Sequence, residues 1–197
     1  GQSDFSFSQN GVLVYLSRGS RSSGLCLVDR NGKLLSQLKT GTVSIMATFS
    51  PDGKRIVLDS YDEAKNSDIW MYDIARDLNT RFTFDAGADE LPIFSPDGNK
   101  VIFSSDRKKS IDLFTKDVSG VSKEEFLYGS PLDNFATSWS PEGKSLLLSV
   151  RGPPKMQWDL LLLPLTGEKK PIPLAQTEFN EWWGTFSPDG RWVAYQS

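Results

Sequence analysis

Phe49-Ser50-Pro51-Asp52-Gly53 is the stretch of sequence that recurs along the chain. The aromatic residues that open the copies are Phe7, Phe49, Phe94, Trp139 and Phe186, so the copies follow one another at intervals of 42, 45, 45 and 47 residues. A nearly constant period of this length is typical of repeat architectures. The repeat therefore predicts the fold, and functional residues are sought where the copies differ.

Each copy is predicted to be a tight turn between two strands, and we refer to the copies as the anchor turns. Proline presets the backbone for the turn, Ser and Asp bond the local backbone, and Gly supplies the left-handed residue that closes it. The predicted structural residues of the anchor turns are Pro51, Gly53, Pro96, Gly98, Pro141, Gly143, Pro188 and Gly190.

Three kinds of run follow the anchor turns. Apolar runs come directly after them, at 12–16, 55–58, 100–103, 145–148 and 192–195. Further apolar runs lie at 24–29, 68–73, 112–117 and 159–164, and more polar ones at 33–38, 79–84, 124–128 and 170–174. Short β-branched or aromatic runs between turn residues favour strands. Together with the strand before the turn, each repeat thus has four antiparallel strands, as in one blade of a β-propeller.

The predicted fold class is all-β, a β-propeller of four-stranded antiparallel blades. Four complete blades are expected at about 2–41, 44–86, 89–130 and 134–177, and the first two strands of a fifth at 181–197, in a single partial domain with an incomplete ring. An unpaired strand edge is normally covered. We therefore expect the chain to be part of a longer ring, and the alternative is a dimer through the open propeller edge.

Composition excludes several partners. The 197 residues carry 22 basic and 25 acidic side chains, a net charge of −3, which gives no field that favours nucleic acid. The longest apolar run, 160–163, is far too short for a membrane helix, so we expect no membrane insertion by this segment. A protein, a peptide or a small polar ligand remains as the expected partner.

Catalytic chemistry is restricted by the absence of histidine and the presence of one cysteine, Cys26. Triads that need His and zinc sites built from His or several Cys are excluded. We expect no enzyme, no cofactor and no metal in this chain. Carboxylates are numerous, so a two-carboxylate hydrolase or lyase stays as an alternative.

One polar position recurs five residues before each anchor aromatic. It is occupied by Gln2, Ser44, Asp89, Asn134 and Glu181, and we refer to these residues as the polar register. In a propeller this position lies where the innermost strand begins, at one mouth of the central channel. These side chains either satisfy loop backbone and channel water, or form a mouth for a ligand or an ion, with Asp89 and Glu181 as its strongest members.

The loops between the second and third strands vary in length, whereas the anchor turns do not. The variable loops carry Arg107, Lys108 and Arg151, and Trp158 and Trp182 add aromatic area nearby. Variable loops usually carry function, and Trp and Arg are favoured contact residues. We therefore predict a ligand-binding face formed by the variable loops, on the side opposite the anchor turns.

These residues also carry a family resemblance over the whole chain. The anchor turn followed by an apolar strand and then Asp68-Ile69-Trp70-Met71-Tyr72-Asp73 resembles the TolB-type, WD40-like propeller repeat of bacteria. The strings at 68–85 and 176–181 are similar to the C-terminal propeller region of bacterial serine/threonine protein kinases, notably in acidobacteria-like genomes. The resemblance implies a sensor module joined to a kinase, with the propeller in the periplasm or otherwise outside the cytoplasm.

The function expected from sequence is therefore a noncatalytic ligand- or protein-binding propeller module, part of a larger kinase-linked or TolB-like protein. The first alternative is the propeller of a prolyl-oligopeptidase-type peptidase, which gates a separate hydrolase domain. The carboxylate-based hydrolase or lyase is the second.

Overall fold

A computed structural model describes residues 5–8, 11–18, 23–38, 40, 43–61, 66–153 and 156–197. These residues form β-strands and turns, without a helix. No helix with the length and apolar character of a membrane span occurs among them. The strands that follow confirm the all-β prediction.

Four sheets have four strands each. The first contains β1 (Phe5–Phe7), β2 (Leu13–Arg18), β3 (Ser23–Val28) and β4 (Leu34–Gln37). The second contains β5 (Val43–Phe49), β6 (Arg55–Tyr61), β7 (Ser67–Asp73) and β8 (Leu78–Arg81). The third contains β9 (Asp89–Phe94), β10 (Lys100–Ser105), β11 (Asp112–Asp117) and β12 (Glu125–Tyr128). The fourth contains β13 (Asp133–Trp139), β14 (Ser145–Arg151), β15 (Trp158–Pro164) and β16 (Ile172–Ala175).

A fifth sheet has two strands, β17 (Trp182–Phe186) and β18 (Val193–Gln196). In every sheet the strands are neighbours in sequence order, which is the meander expected of a propeller blade. The pairings within the fourth sheet are all antiparallel, as are those within the first and the second. The prediction of four-stranded antiparallel sheets followed by a two-stranded one is confirmed.

The chain divides into two compact units, Gly1–Phe94 and Ser95–Ser197. In the first unit, a buried cluster joins its first two sheets: Val14, Leu25, Leu27, Leu38, Phe49, Ile56, Leu58 and Tyr72. In the second unit, the middle strands β14 and β15 supply fully buried Leu146, Leu147, Leu148, Leu160 and Leu163. The apolar runs predicted from the sequence are therefore the cores of the sheets.

The outer strands are less polar than the sequence pattern indicates. Leu34 on β4, Leu78 on β8, Phe126 on β12 and Ile172 on β16 are all exposed large hydrophobic residues. Single apolar side chains on a surface are common in soluble proteins. The outer strands are thus solvent-facing, as expected, but they are not uniformly polar.

The anchor turns share one hydrogen-bond pattern, which is complete at Ser95. Its backbone N–H donates to the carbonyl of Lys100 at 2.8 Å, and its hydroxyl accepts from the N–H of Lys100 at 2.9 Å. The N–H of Gly98 donates to the carbonyl of Ser95 at 2.9 Å, and Gly98 has φ of +71°. A left-handed residue of this kind favours glycine. The turn therefore needs both its serine and its glycine.

The same bonds recur in the other copies. Ser50, Ser140 and Ser187 accept through their hydroxyls from the N–H five residues later at 3.0 Å each, and their carbonyls accept from the glycine N–H at 2.8 to 2.9 Å. The degenerate first copy keeps a shorter version, in which Ser8 accepts from the N–H of Val12 at 2.9 Å. One serine side chain thus sets the register of each first hairpin.

Acidic residues reinforce three of the turns. The hydroxyls of Ser50, Ser95 and Ser187 donate to the carboxylates of Asp52, Asp97 and Asp189 at 2.6, 2.5 and 2.6 Å. These bonds hold the pKa of each aspartate below its ordinary value, with help from a backbone N–H two residues later. In the fourth copy the acidic residue is Glu142, and Ser140 does not bond it within the described part of the chain.

Replacing Ser95 with Ala is expected to lower the free energy of unfolding by about 1–3 kcal/mol, because the hydroxyl of buried Ser95 is lost and the N–H of Lys100 loses its acceptor. Urea denaturation followed by tryptophan fluorescence measures the change. Ser119→Ala on the same sheet is the control, since Ser119 is exposed and its loss should change stability by less than about 0.5 kcal/mol. Equal effects of the two variants would contradict the role given to Ser95.

Replacing Asp97 with Asn tests the acid dependence of the turn. Because the pKa of folded Asp97 is lowered, its carboxylate stabilises the fold above the unfolded-state value of about 3.9. That contribution is lost as the pH falls through the lower folded-state pKa. We expect Asp97→Asn to be less stable than the parent near neutral pH, with a difference that closes in acid.

Urea denaturation at several pH values measures this difference. Glu142→Gln is the matched control in the neighbouring anchor turn, because no serine hydroxyl bonds Glu142 among the described residues. A stability difference for Asp97→Asn that stays constant from neutral to acidic pH would show that the carboxylate does not act through its charge.

Candidate functional site

The polar register is buried where the structure describes it. Asn134 and Asp89 have 0% of their surface exposed and Glu181 has 2%. Ser44 lies at the equivalent place in β5, and Gln2 lies outside the described residues. The contacts of Asn134 and Glu181 show what these side chains do in the second unit.

Asn134, the second residue of β13, bonds both to the connection before its own strand and to the residue that precedes β11. Its side-chain amide donates to the carbonyls of Ile111 and Leu132 at 3.0 and 2.6 Å, and its amide oxygen accepts from the hydroxyl of Ser130 at 3.1 Å. Its backbone N–H donates to the same Ile111 carbonyl at 2.9 Å. Asn134 therefore bonds one sheet to the start of the next.

Glu181 repeats this arrangement before β17. Its backbone N–H donates to the carbonyl of Trp158 at 2.8 Å, and its carboxylate accepts a short hydrogen bond from the hydroxyl of Thr177 and another from the Thr177 N–H at 3.4 Å. The carboxylate is enclosed by its own connection. Of the two interpretations of the polar register, the contacts of Glu181 match the one in which it satisfies loop backbone.

The partner of the polar register is a residue four positions earlier, which the sequence analysis did not single out. In every repeat after the first that position holds a hydroxyl or a carboxyl: Thr40, Asp85, Ser130 and Thr177. In the second unit the hydroxyls of Ser130 and Thr177 donate to the register residues. An alignment of the repeats that included the four residues before the polar register would have shown this recurring polar position.

Two residues after the register position, the first strand has an unusual backbone. Leu91 and Trp183 both have positive φ, +55° and +52°. The pairing of β17 with β18 shifts register between Trp182 and Thr185, and the N–H of Trp183 donates to the hydroxyl of Ser149 at 2.9 Å. Because the conformation recurs in two repeats, it is a feature of the repeat rather than of one site.

Arg107 and Lys108, two predicted binding residues, lie against the third sheet. The guanidinium of Arg107 donates to Ser105 at 2.8 Å and to Glu124 at 2.7 Å, and it lies 4.2 Å from the ring centre of Phe114. Lys108 lies 3.5 Å from the ring centre of Phe126 and its amine is 3.7 Å from the carboxylate of Asp112. Both cations have partners within their own sheet.

Arg151, Trp158 and Trp182, the other predicted binding residues, come together. Arg151 and Trp158 are direct cross-strand partners, and the guanidinium carbon lies 4.9 Å from the Trp158 ring centre. The ring centres of Trp158 and Trp182 are 5.5 Å apart, and Phe135 lies 5.3 Å from Trp158. We refer to Arg151, Trp158, Trp182 and Phe135 as the aromatic cluster. It lies at the strand ends opposite the anchor turns.

A cleft of about 350 Å³ adjoins this cluster. One part of its lining is apolar, from Leu132, Val150 and Pro153. The other part is polar, from Arg151, Gln157, Asp159, Gln176 and Thr177. A volume of this size is within the usual range for ligand pockets, which mix apolar walls with a few polar groups.

A second cleft, of about 490 Å³, lies on the side of the anchor turns. Its walls are the residues of two successive turns, among them Pro96, Asp97, Pro141 and Gly143. A Cβ placed on Gly190 would lie 3.4 Å from a ring carbon of Pro141, so successive turns in this unit pack closely. This cleft is lined by residues that every repeat needs for its fold, and it is therefore not the first candidate for a site.

No group of three or more His, Cys, Asp or Glu side chains arranged to hold a metal ion occurs in the described ranges. Cys26 is buried and free. The aromatic cluster with its cleft is therefore the candidate functional site.

Four-stranded meander sheets, each with its first hairpin closed by the same turn, define the class of protein as a β-propeller. The family model described as the TolB beta propeller domain matches residues 41–197. The chain belongs to this TolB β-propeller family.

Solved structures agree on the fold. The chain is similar to TolB from Acinetobacter baumannii, with 23% identity and a TM-score of 0.81, over 96% of this chain and 47% of that one, about half its length. It is similar to a putative TolB from Agrobacterium tumefaciens, with 22% identity and a TM-score of 0.76, over 98% of this chain and 74% of that one. It is also similar to the β-propeller domain of the Trilobed protease from Pyrococcus furiosus, with 11% identity and a TM-score of 0.65, over 94% of this chain and 60% of that one.

Replacing Asn134 with Ala is expected to lower the free energy of unfolding by about 2–4 kcal/mol, because two carbonyls and a hydroxyl lose a buried partner. Chemical denaturation measures the loss. The control is Asn31→Ala, since Asn31 is exposed in a hairpin turn and bonds Asp29 through its backbone N–H. An Asn134→Ala protein as stable as its parent would show that Asn134 does not hold the sheets together.

Proposed function

We propose that the chain is a noncatalytic binding module that takes a segment of a protein or a peptide at the aromatic cluster and its cleft. The observation that carries the proposal is the pair of tryptophans, Trp158 and Trp182, which pack with ring centres 5.5 Å apart and ring planes tilted by 30°, beside Arg151 and a cleft of about 350 Å³. All three side chains are partly exposed on the variable-loop side.

The chemistry of these residues supports a polypeptide partner. Trp and Arg are the residues that most often carry binding energy at protein interfaces, because they offer a large rigid area together with polar groups. Contact between their rings restricts the side chains of Trp158 and Trp182, so less side-chain freedom is lost on binding. Membership of the TolB β-propeller family supports a protein as the class of partner.

The finer role follows from the resemblance described above. We propose that the module is the sensor region of a kinase-linked or TolB-like protein of bacteria, and that it acts outside the cytoplasm. Binding at the variable-loop side would then be the event that the longer protein senses. A dimer through the edge strand β18 is a further proposal, which light scattering of the purified chain tests by its mass.

A propeller that accompanies a peptidase is the second candidate. The observation in its favour is the similarity to the propeller domain of the Trilobed protease, which at 11% identity concerns the fold. A Gly-x-Ser-x-Gly sequence and a hydrolase domain in the same open reading frame would support it. The carboxylate-based hydrolase has no comparable support, because Asp89 and Glu181 are both buried.

Selection from a random-peptide phage library on the immobilised chain tests the proposal. We expect selected peptides whose binding, measured by fluorescence anisotropy, weakens at least about tenfold in Trp158→Ala, because a central aromatic contact is lost. Trp192→Ala is the matched control: Trp192 is 67% exposed and follows the fifth anchor turn, next to an arginine as Trp158 is.

Peptides bound equally by the parent and by Trp158→Ala, but lost by Trp192→Ala, would move the binding face to the anchor turns and contradict the proposal. Failure to select any peptide that binds the parent chain would also contradict it. Circular dichroism of both variants shows that each has kept its sheets.

A further inference from the structure

Arg151 has one ion pair, with Asp133, but no side-chain hydrogen bond to another described residue. One of its donors without such a bond, Nε, is buried. The nearest carboxylate oxygen, on Asp133, is 3.7 Å from Nη2, beyond a normal hydrogen bond. The guanidinium also lies over the ring of Trp158, with its carbon atom 4.9 Å from the ring centre.

Arg107, in the same unit, is an arginine whose side chain is hydrogen-bonded within the chain. It donates to Ser105 and to Glu124 at 2.8 and 2.7 Å, and its side chain is 13% exposed. The side chain of Arg151 is 37% exposed and lines the cleft. Arg107 is thus part of the fold, whereas Arg151 presents a plane of donors at a surface.

A planar guanidinium with several open donors is suited to a carboxylate, which can accept two parallel hydrogen bonds from it. The two acidic side chains nearby accept hydrogen bonds from other donors. Asp133 accepts from the N–H of Ile111 at 3.2 Å, and Asp159 accepts from the side-chain amide of Gln176 at 2.8 Å. Neither carboxylate makes a hydrogen bond to Arg151, so its exposed donors are open to a carboxylate of a bound molecule.

We propose that Arg151 binds the carboxylate of an Asp or Glu side chain in the peptide segment, and that a neighbouring apolar side chain of the peptide enters the cleft. This inference rests on the proposed function. The cleft supplies the second contact, because Leu132, Val150 and Pro153 form an apolar wall directly beside Arg151. Leu132 packs closely on Gly152, since a Cβ there would lie 2.6 Å from a methyl carbon of Leu132.

The guanidinium could also donate to a small free anion, so the experiment tests small anions as well as peptides. A peptide array is probed with the whole chain, and each array peptide carries Glu, Gln, Asp or Asn at one position next to Leu, within otherwise random sequence. Free glutamate and inorganic phosphate serve as competitors. The chains compared are the parent, Arg151→Gln, Arg151→Lys and Arg191→Gln.

Arg191→Gln is the matched control on the anchor-turn side. Arg191 also stacks on a tryptophan, Trp192, at 5.9 Å and lies near an aspartate, Asp189, at 3.9 Å. We expect the parent chain to bind Glu or Asp peptides about tenfold more tightly than their amide counterparts, as loss of a charge-assisted hydrogen bond predicts. Arg151→Gln should abolish that preference, Arg151→Lys should reduce it, and Arg191→Gln should keep it.

The outcomes separate this inference from the proposed function. Peptides that bind through Trp158 but show no preference for Glu over Gln would overturn the inference alone, whereas an array without any binding would overturn both. Competition by free glutamate or phosphate as strong as that by the peptide would make the occupant a small anion and overturn the peptide assignment. Thermal unfolding of each variant shows that a change in preference is not a loss of fold.

Discussion

A single serine hydroxyl in each anchor turn is the interaction on which the sheets depend. In four of the turns the hydroxyl accepts from the N–H of the residue five positions later, and the backbone N–H of the serine donates to that residue's carbonyl, as Ser95 does with Lys100; in the first turn the spacing is four. This double contact fixes how the first strand pairs with the second. Since a shift by one residue would turn every side chain to the opposite face of a strand, the register set by the turn decides which residues form the core.

A second set of bonds closes the opposite ends of the strands. The backbone N–H groups of Asn134 and Glu181 each donate to a carbonyl at the start of the third strand of the preceding sheet. Each side chain also accepts a hydrogen bond from a hydroxyl four residues earlier. With the connections fixed in this way, the loops between the second and third strands can vary without loss of the fold. In the fourth sheet that freedom places Arg151 and Trp158 side by side at a cleft.

The sequence predicted the strands well because the repeat aligns five copies of one pattern. It placed the strand ends less well: β14 continues to Arg151, three residues beyond the predicted run, because cross-strand pairing with Trp158 extends it. The position of the polar register was found, but its burial was not, because burial depends on the partner four residues earlier. Arg107 and Arg151 could not be told apart, since the difference lies in Glu124, which reaches Arg107 from 17 residues further along the chain.

The anchor turns maintain the fold, and the proposed binding face lies on the opposite side. Hydrogen–deuterium exchange of the chain with and without a saturating selected peptide tests this division of roles most directly. We expect backbone amide exchange to slow on peptide binding at 150–153, 157–159 and 176–183. Exchange at 95–100, 140–145 and 187–192 should not change. Protection confined to the anchor turns, with the aromatic cluster unchanged, would contradict this division of roles.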